Sequence, residues 1–548
     1  MAELDPSFKH GPLATFVMQN FLETQQRNEV AIVNGSSADL LQPVQFTYEQ
    51  VYTQTYSFAR SLVRNFKLSK GDVAAIMSPN HEYYFATFHG IGLTGAASTT
   101  INPQYTVDEV RYQLELTRAK VIVAHPMCHE VARQAAAGKI PVVSIAEVEE
   151  MLREFKAASQ IDPGAFLSKT VNFDDQQVVT IPFSSGTTGR SKGVVLTHRN
   201  LTCNILQTMP YEGKYLTAKH GKTGKRGVLL CPLPFFHIYG MTAGMNVALY
   251  AGAKLVFMMA FDLQRYLELV SRHKVTRGHV VPPIVLALAK HPLIDKYDLS
   301  SIECLMSGAA PLGAEVQAAA AARLKCFVKQ AWGMTETSPC GSITPDSEIM
   351  SIEFIKGKSG LLAPATEAKI VDPITGADLP YTSEGELLVR GPQIMKGYFE
   401  NEAATAVTIR PDGWLHTGDI AKFDEEGWLY ITDRSKELIK YKGFQVPPAE
   451  LEALILTMPQ VKDVVVIPVP DDQAGEIPRA YVVKQDSAPA SFGADDVIDF
   501  VRAKVAPYKR LRGGVRFVDS VPKSPSGKLL RRVQVQLDRA ESAAAKAK

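Results

Sequence analysis

Ten consecutive residues, Ser184-Ser185-Gly186-Thr187-Thr188-Gly189-Arg190-Ser191-Lys192-Gly193, bring together five hydroxyls, three glycines, an arginine and a lysine. In such a loop the backbone N–H groups can turn inward while the side chains donate to anionic oxygens, so the chemistry it suits is phosphate binding. The spacing is not that of the nucleotide loop ending in Gly-Lys-Ser/Thr, and Gly221-Lys222-Thr223 lacks the earlier glycine that loop needs. On composition alone a flexible surface turn competes with the phosphate reading. Four other side chains carry chemistry only if the rest of the chain supports them. Taken singly, Glu336 reads as a carboxylate at a helix start, Asp419 as part of a structural Gly-Asp turn, His237 as a satisfied core histidine near Phe236 and Tyr239, and Lys528 as a solvated lysine in a Pro/Ser/Gly loop.

The elements that must position these residues alternate between two periods. From Tyr48 to Phe66, Val51, Phe58, Ala59, Leu62, Val63 and Phe66 share one helix face. Apolar runs at 73–77, 121–124, 178–183, 228–231 and 254–258 read as strands, and Asp262 as the N-cap of a helix carrying Leu263, Tyr266, Leu267 and Val270. Strands alternating with helices predict an α/β architecture with largely parallel sheets. The phosphate-type loop leaves the strand at 178–183 and enters the run Val194-Val195-Leu196. Between about 368 and 430 short strands at 368–371, 386–389 and 428–431 alternate with Gly, Pro and Asp turns, which predicts a small β-rich, barrel-like subdomain. Helices near 450–458 and 497–505 and a strand over 464–469 then form a separate α+β lobe. The expected division is a large N-terminal domain, 1–433, followed by a small mobile C-terminal domain, 434–548, whose Ala/Lys-rich end after Leu537 reads as frayed.

Composition narrows the partners. The 548 residues carry 59 basic and 57 acidic side chains, a net charge of +2, which gives no field for nucleic acid or an anionic membrane, so phosphate groups must be held by local sites. From Arg434 onward 20 basic residues face 14 acidic ones, a mild excess only. Six irregularly spaced cysteines, without Cys-x-x-Cys, read as reduced and mostly buried. The N-terminus lacks the unbroken apolar core of a signal peptide, and the most membrane-like stretch, 242–261, contains Gly244, Gly252 and Lys254 and reads as buried. The final Ala-Lys-Ala-Lys is not the Ser-Lys-Leu peroxisomal address. A cytoplasmic monomer or weak dimer, without stable membrane insertion, is expected.

The hydroxyl-rich loop resembles the phosphate-binding loop of the adenylate-forming enzymes: acyl-CoA synthetases, 4-coumarate-CoA ligases, beetle luciferases and peptide-synthetase adenylation domains. Further family motifs follow in order: Pro232-Leu-Pro-Phe-Phe-His237-Ile-Tyr239-Gly240, Ser307-Gly-Ala-Ala-Pro311-Leu, Gln330-Ala-Trp332-Gly-Met-Thr335-Glu336, and Gly413-Trp-Leu-His-Thr-Gly-Asp419. Asp433-Arg434-Ser-Lys436, Lys440-Tyr-Lys442-Gly443-Phe-Gln445 and Pro522-Lys-Ser-Pro-Ser-Gly-Lys528 complete the set. The resemblance covers nearly the whole chain and is nearest to 4-coumarate-CoA ligases. It implies a two-step reaction: ATP and a carboxylic acid give acyl-AMP and pyrophosphate, then CoA attacks to give a thioester and AMP.

Joining two anions requires charge neutralisation at the triphosphate. The resemblance gives that role to Ser184, Ser185, Gly186, Thr187, Thr188 and Lys192, with Thr335 at the α-phosphate and Glu336 as the hard oxygen ligand for Mg²⁺. Asp419 would accept from the ribose hydroxyls, aided by Arg434, while Trp332 would stack on adenine beside Gln330 and Ala331. Lys528 is the implied catalytic lysine, with Lys440 and Gln445 assisting adenylation. Lys436 would be the hinge between half-reactions, and Lys442 and Gly443 would line the CoA tunnel. His237 would gate the carboxylate, and Tyr239, Ala243, Ser307, Ala309, Gln330, Ala331 and Pro339 would wall the acyl pocket. Plant 4-coumarate-CoA ligases usually have serine at Ala243, glycine at Ala331 and a basic residue at Ala260. Cinnamates, other aryl acids and medium or long fatty acids therefore all stay open as substrates, with a cinnamate or aryl acid preferred. Three alternatives differ in the second step or in having none: luciferase-like oxygenation, transfer to a carrier protein, and an ATP-binding regulator. The last would have lost Lys528 or Glu336.

Overall fold

A computed structural model describes residues 11–23, 27–39, 41–148, 173–184, 191–217, 226–347, 350–434, 437–442, 444–471, 473–524 and 527–546. Two large sheets share one hydrophobic core. In the first, Ala97–Ile101, Val73–Met77, Val121–Ala124 and Val142–Ser144 run parallel, and Lys192–Thr197 and Gly397–Tyr398 close one side antiparallel. The second has nine strands, with a parallel centre of Cys304–Ser307, Arg277–Val280, Val228–Cys231 and Lys254–Phe257 and antiparallel edges. The helix Tyr84–Leu93 has all ten residues buried, the condition of a helix enclosed by apolar neighbours on every side.

The helix predicted over Tyr48–Phe66 forms over those residues, opened by a capping box at Thr47. Asp262 caps the helix Leu263–His273, its Oδ1 accepting from the Arg265 N–H at 2.8 Å. The strand expected over 178–183 is instead two pieces, Val178–Thr180 and Phe183–Ser184. Pro182 lies in the gap, and without an N–H it cannot continue a ladder. The membrane-like stretch becomes a buried π-helix, Tyr239–Asn246, a short helix, Val247–Tyr250, and the strand Lys254–Phe257. Among the described residues no helix is long and apolar enough to cross a membrane.

The β-rich segment is an open five-stranded antiparallel sheet, not a barrel: Asp378–Leu379, Glu367–Val371, Gly385–Arg390, Leu415–Phe423 and Leu429–Arg434, in that order. The next residues build a second core from Ile439 to Leu511, on a sheet led by Val461–Asp471 and Gly475–Lys484 and packed by the helices Pro448–Ile455 and Ala494–Lys504. The tail corrects the reading of a frayed end, since Arg531–Lys546 is a helix. Its polar residues do the anchoring that its alanines cannot. Arg531 is buried and donates to both Glu452 oxygens at 2.8 and 2.9 Å, while Asp538 accepts from Arg479 and the Tyr481 hydroxyl, each at 2.5 Å. All six cysteines are free, five of them buried.

Candidate active site

A cleft of 1820 Å³ runs between the two cores, lined on one side by Ser184, Lys192, Trp332, Thr335 and Glu336 and on the other by Lys523 and Lys528. At its polar end the short turn Thr335–Thr337 brings Glu336 inward, 5% exposed. Glu336 Oε1 accepts from the Ser184 hydroxyl at 3.1 Å and from the Tyr398 hydroxyl at 2.9 Å. Lys192 Nζ lies 4.1 Å from the centre of that tyrosine ring. Hydroxyls, a lysine and a carboxylate thus converge on the strand that follows the phosphate-type loop. No group of three or more His, Cys, Asp or Glu side chains suited to a metal occurs among the described residues. One hard carboxylate beside a lysine and hydroxyls fits Mg²⁺ delivered with a triphosphate, an ion that keeps waters and phosphate oxygens as most of its ligands. Ser185, Gly186, Thr187, Thr188, Lys436 and Gly443 lie outside the described residues, as do the side chains of Arg434 and Gln445.

Trp332 and Asp419 meet. The indole Nε1–H donates to Asp419 Oδ2 at 2.8 Å, with both residues buried. The ring lies against Gly341, where a Cβ would come within 2.3 Å of Cζ3, so any larger residue there would displace it. The indole therefore lines the cleft with its ring and orients a carboxylate with its edge. Trp332→Phe keeps a flat face and removes the donor. We expect KM for ATP to rise about 5- to 10-fold, the equivalent of one ordinary hydrogen bond, with kcat little changed. Initial rates against ATP concentration check this, and an unchanged KM would count against the contact.

Lys528 enters from the second lobe. Its loop is closed by the Ser524 N–H donating to the Lys528 carbonyl at 2.8 Å and the Lys528 N–H donating to Ser524 Oγ at 3.1 Å. Gly527 has φ +77° and packs against Val281 of the large domain, where a Cβ would meet Cγ2 at 2.9 Å. Across the cleft, His237 Nδ1 accepts from the Tyr239 N–H at 3.3 Å. Burial, and then the nearby Lys528 charge, push the His237 imidazole down to about 4.

Beyond His237 the cleft becomes apolar, walled by Tyr239, Ala243, Ala309, Ala331 and Pro339. Two expected wall residues are not on it, for one reason. Ser307 and Gln330 are paired across adjacent parallel strands, so they point to the same face, while Met306, Gly308 and Ala331 face the cleft. The Gln330 amide is taken up by Leu312 and Gln317, its Oε1 accepting from the Leu312 N–H at 3.1 Å and its Nε2 donating to Gln317 at 2.9 Å. Ser307 is 1% exposed behind the wall. Lys440 and Lys442 are exposed on the second lobe and do not line the cleft in this arrangement of the lobes.

Sequence reasoning missed Tyr398, Glu212 and the pair Glu386–His416, all of which line the cleft. Tyr398 sits on a two-residue strand with no signal of its own. Glu212 had one, since it extends the helical stripe Leu201, Ile205, Thr208 at spacings of three and four. A charge on an apolar stripe marks a buried carboxylate.

A family model described as AMP-binding enzyme matches residues 20–399, and one for the AMP-binding enzyme C-terminal domain matches 450–528. The chain belongs to the AMP-binding enzyme family. It is 40% identical over 526 residues to 4-coumarate-CoA ligase 1 of Petroselinum crispum, covering 96% of this chain and 93% of that one. With 4-coumarate-CoA ligase 3 of Oryza sativa subsp. japonica it shares 42% over 492 residues, 89% of this chain and 86% of the other. ATP-bound MatB from Rhodopseudomonas palustris superposes with a TM-score of 0.80 at 27% identity, covering 95% and 98% of the two chains. The anthranilate CoA ligase AuaEII with anthranoyl-AMP reaches 0.84 at 22%, over 98% of each chain, which speaks to fold alone.

Proposed function

We propose that the protein is an AMP-forming acid-CoA ligase that activates a cinnamate or related aryl acid with ATP and transfers the acyl group to CoA. The observation that carries this reading is the position of Lys528, on a second-lobe loop, opposite His237 where the polar end of the cleft meets the apolar pocket. In this arrangement Lys192, the Ser184 hydroxyl and Thr335 receive the phosphates, Glu336 holds Mg²⁺, and Asp419 takes the ribose hydroxyls. Mg²⁺ supplies charge neutralisation at the triphosphate. The acid lies with its carboxylate by His237, which is neutral and so does not trap it as an ion pair. The carboxylate oxygen attacks the α-phosphorus, the bond to the β-phosphate oxygen breaks, and Lys528 offsets the charge that builds between them. The second lobe, 434–548, then turns about Lys436 to withdraw Lys528 and bring Lys442 and Gly443 to the CoA channel. This rotation accounts for Lys442 standing outside the cleft here; Lys440, expected to assist adenylation, is outside it while Lys528 is in it, and so takes no part in the step. The CoA thiolate attacks the acyl carbon and AMP leaves.

CoA-dependent AMP release from purified protein, ATP and Mg²⁺, across benzoates, cinnamates and C8 to C16 fatty acids, tests the reading. Release that requires both an aryl acid and free CoA supports it. Pyrophosphate exchange without thioester would move the acceptor to a carrier protein or oxygen, and release with fatty acids alone would move the substrate.

A further inference from the structure

The loop that carries His237 is poor in backbone donors. It leaves the strand Val228–Cys231 as Pro232-Leu-Pro-Phe-Phe-His237, and its two prolines have no N–H to give. Within it, the His237 N–H donates to the Pro234 carbonyl at 3.1 Å. Three further hydrogen bonds come from the other large sheet. Asn80, 3% exposed just beyond the strand Val73–Met77, donates from Nδ2 to the Leu233 carbonyl at 2.8 Å and accepts at Oδ1 from the Phe235 N–H at 2.6 Å. Thr100, buried in the strand Ala97–Ile101, donates from Oγ1 to the Phe236 carbonyl at 2.8 Å.

Asn80 does more than fill a gap. Nδ2 also donates to the Met258 carbonyl at 2.9 Å, just past the strand Lys254–Phe257, so one amide ties the end of its own strand to two places on the second sheet. Two donors and an acceptor on one short stem are what an asparagine offers, and all three are spent here on backbone groups. From the other side the loop is closed in by the helix that follows it, since a Cβ on Gly240 would come within 2.3 Å of the Pro234 oxygen. The backbone on both sides of Pro234 and the carbonyl of the residue before His237 are thereby fixed from outside the loop.

Resting on the ligase reading above, we infer that Asn80 and Thr100 are positioning residues, which by holding the backbone of 233–236 set where Phe236 and His237 meet the carboxylate of the acid. Both of those side chains line the cleft, so a shift of the loop is a shift of the surface that receives the acid. The groups assigned to the phosphates, Ser184, Lys192, Thr335 and Glu336, stand on other elements. Loss of the tether therefore falls on the acid and not on ATP. A displacement of a reacting group by roughly 1 Å costs about 100-fold in rate, far more than the hydrogen bonds themselves are worth.

The experiment compares Asn80→Ala, Asn80→Asp and Thr100→Val with the wild type by pyrophosphate exchange, using the acid that the wild type activates best and measuring KM for acid and for ATP separately. Asn80→Ala is expected to lower kcat/KM for the acid about 100-fold, with a raised KM for the acid and KM for ATP within about twofold. Asn80→Asp keeps the volume and the acceptor for Phe235 but loses both donors, so it should be about as impaired and separates hydrogen bonding from cavity formation. Thr100→Val keeps a β-branched side chain on its strand, loses one hydrogen bond, and should raise KM for the acid about 5-fold. A merely structural role would lower kcat through the folded fraction and leave both KM values alone. That result would overturn the inference and leave the ligase standing, as would wild-type behaviour in Asn80→Asp or a KM for ATP that rises in step with that for the acid. If the wild type exchanges pyrophosphate with no acid, the ligase reading falls and this inference with it. Should the Asn80 variants fail to fold, Thr100→Val decides: a raised KM for the acid alone supports the inference, and unchanged KM values overturn it.

Discussion

Replacing Lys528 by alanine is expected to lower acid-dependent pyrophosphate exchange by about 10²- to 10³-fold while leaving thioester formation from supplied acyl-adenylate within a few-fold. The split follows from where the lysine is held. Its loop is pinned at both ends, by the hydrogen bonds with Ser524 and by the bridge between Lys523 and Leu529, and packs on Val281 through Gly527. The ammonium is therefore delivered as a positioned charge, close enough to His237 to be felt by its imidazole. A preorganised charge at the forming bond acts on adenylation only, because in the second half-reaction the thiolate attacks carbon with the phosphate already leaving. Equal losses in both half-reactions would reduce Lys528 to a fold or docking role, and no loss in exchange would remove it from the chemistry.

The legibility of this molecule in its sequence divides along physical lines. Elements with a strong period and a cap were readable: Tyr48–Phe66 with Thr47, and Leu263–His273 with Asp262. That Glu336 would face a cleft beside Ser184 and Lys192 was readable from the motifs, because phosphate chemistry needs particular residue types close together in the chain. Side-chain direction was less so. Ser307 and Gln330 belong to motifs that pass through the site, but strand parity turns both away from it, and parity depends on which residue of a motif starts the strand. Tertiary pairing was least visible. Nothing local links Glu212 to Arg277 or Asp346, and a tail rich in alanine and lysine gives no sign that Asp538 will be captured by Arg479 and Tyr481.

Acid should destabilise the protein well above the range where carboxylates titrate. His89 and His198 are each 1% exposed, and burial pushes both down to about 3; His237 is held near 4. Their partners suit the neutral ring: His89 Nε2 is 2.7 Å from Asn246 Oδ1, and His198 Nδ1 accepts from the Leu13 N–H at 3.0 Å. In the unfolded chain each titrates near 6.5. Between about pH 6.5 and 4 the unfolded state therefore binds more protons than the folded one, so stability rises with pH across that window. The contribution is complete above 6.5 and is lost as pH falls toward the folded-state values. At pH 5 each histidine accounts for about 2 kcal/mol, and three together for a large part of the 5–15 kcal/mol typical of a folded protein. Urea midpoints at pH 7, 6 and 5 should fall with growing steepness below 6.5, and His198→Gln should remove a part of that dependence, the rest staying with the other histidines that burial holds down, His273 and His279 among them. A midpoint unchanged from pH 7 to 5 would mean that these rings take up protons in the folded protein as readily as in the unfolded chain, and that the buried environment around His89 and His198 opens far more easily than its packing implies.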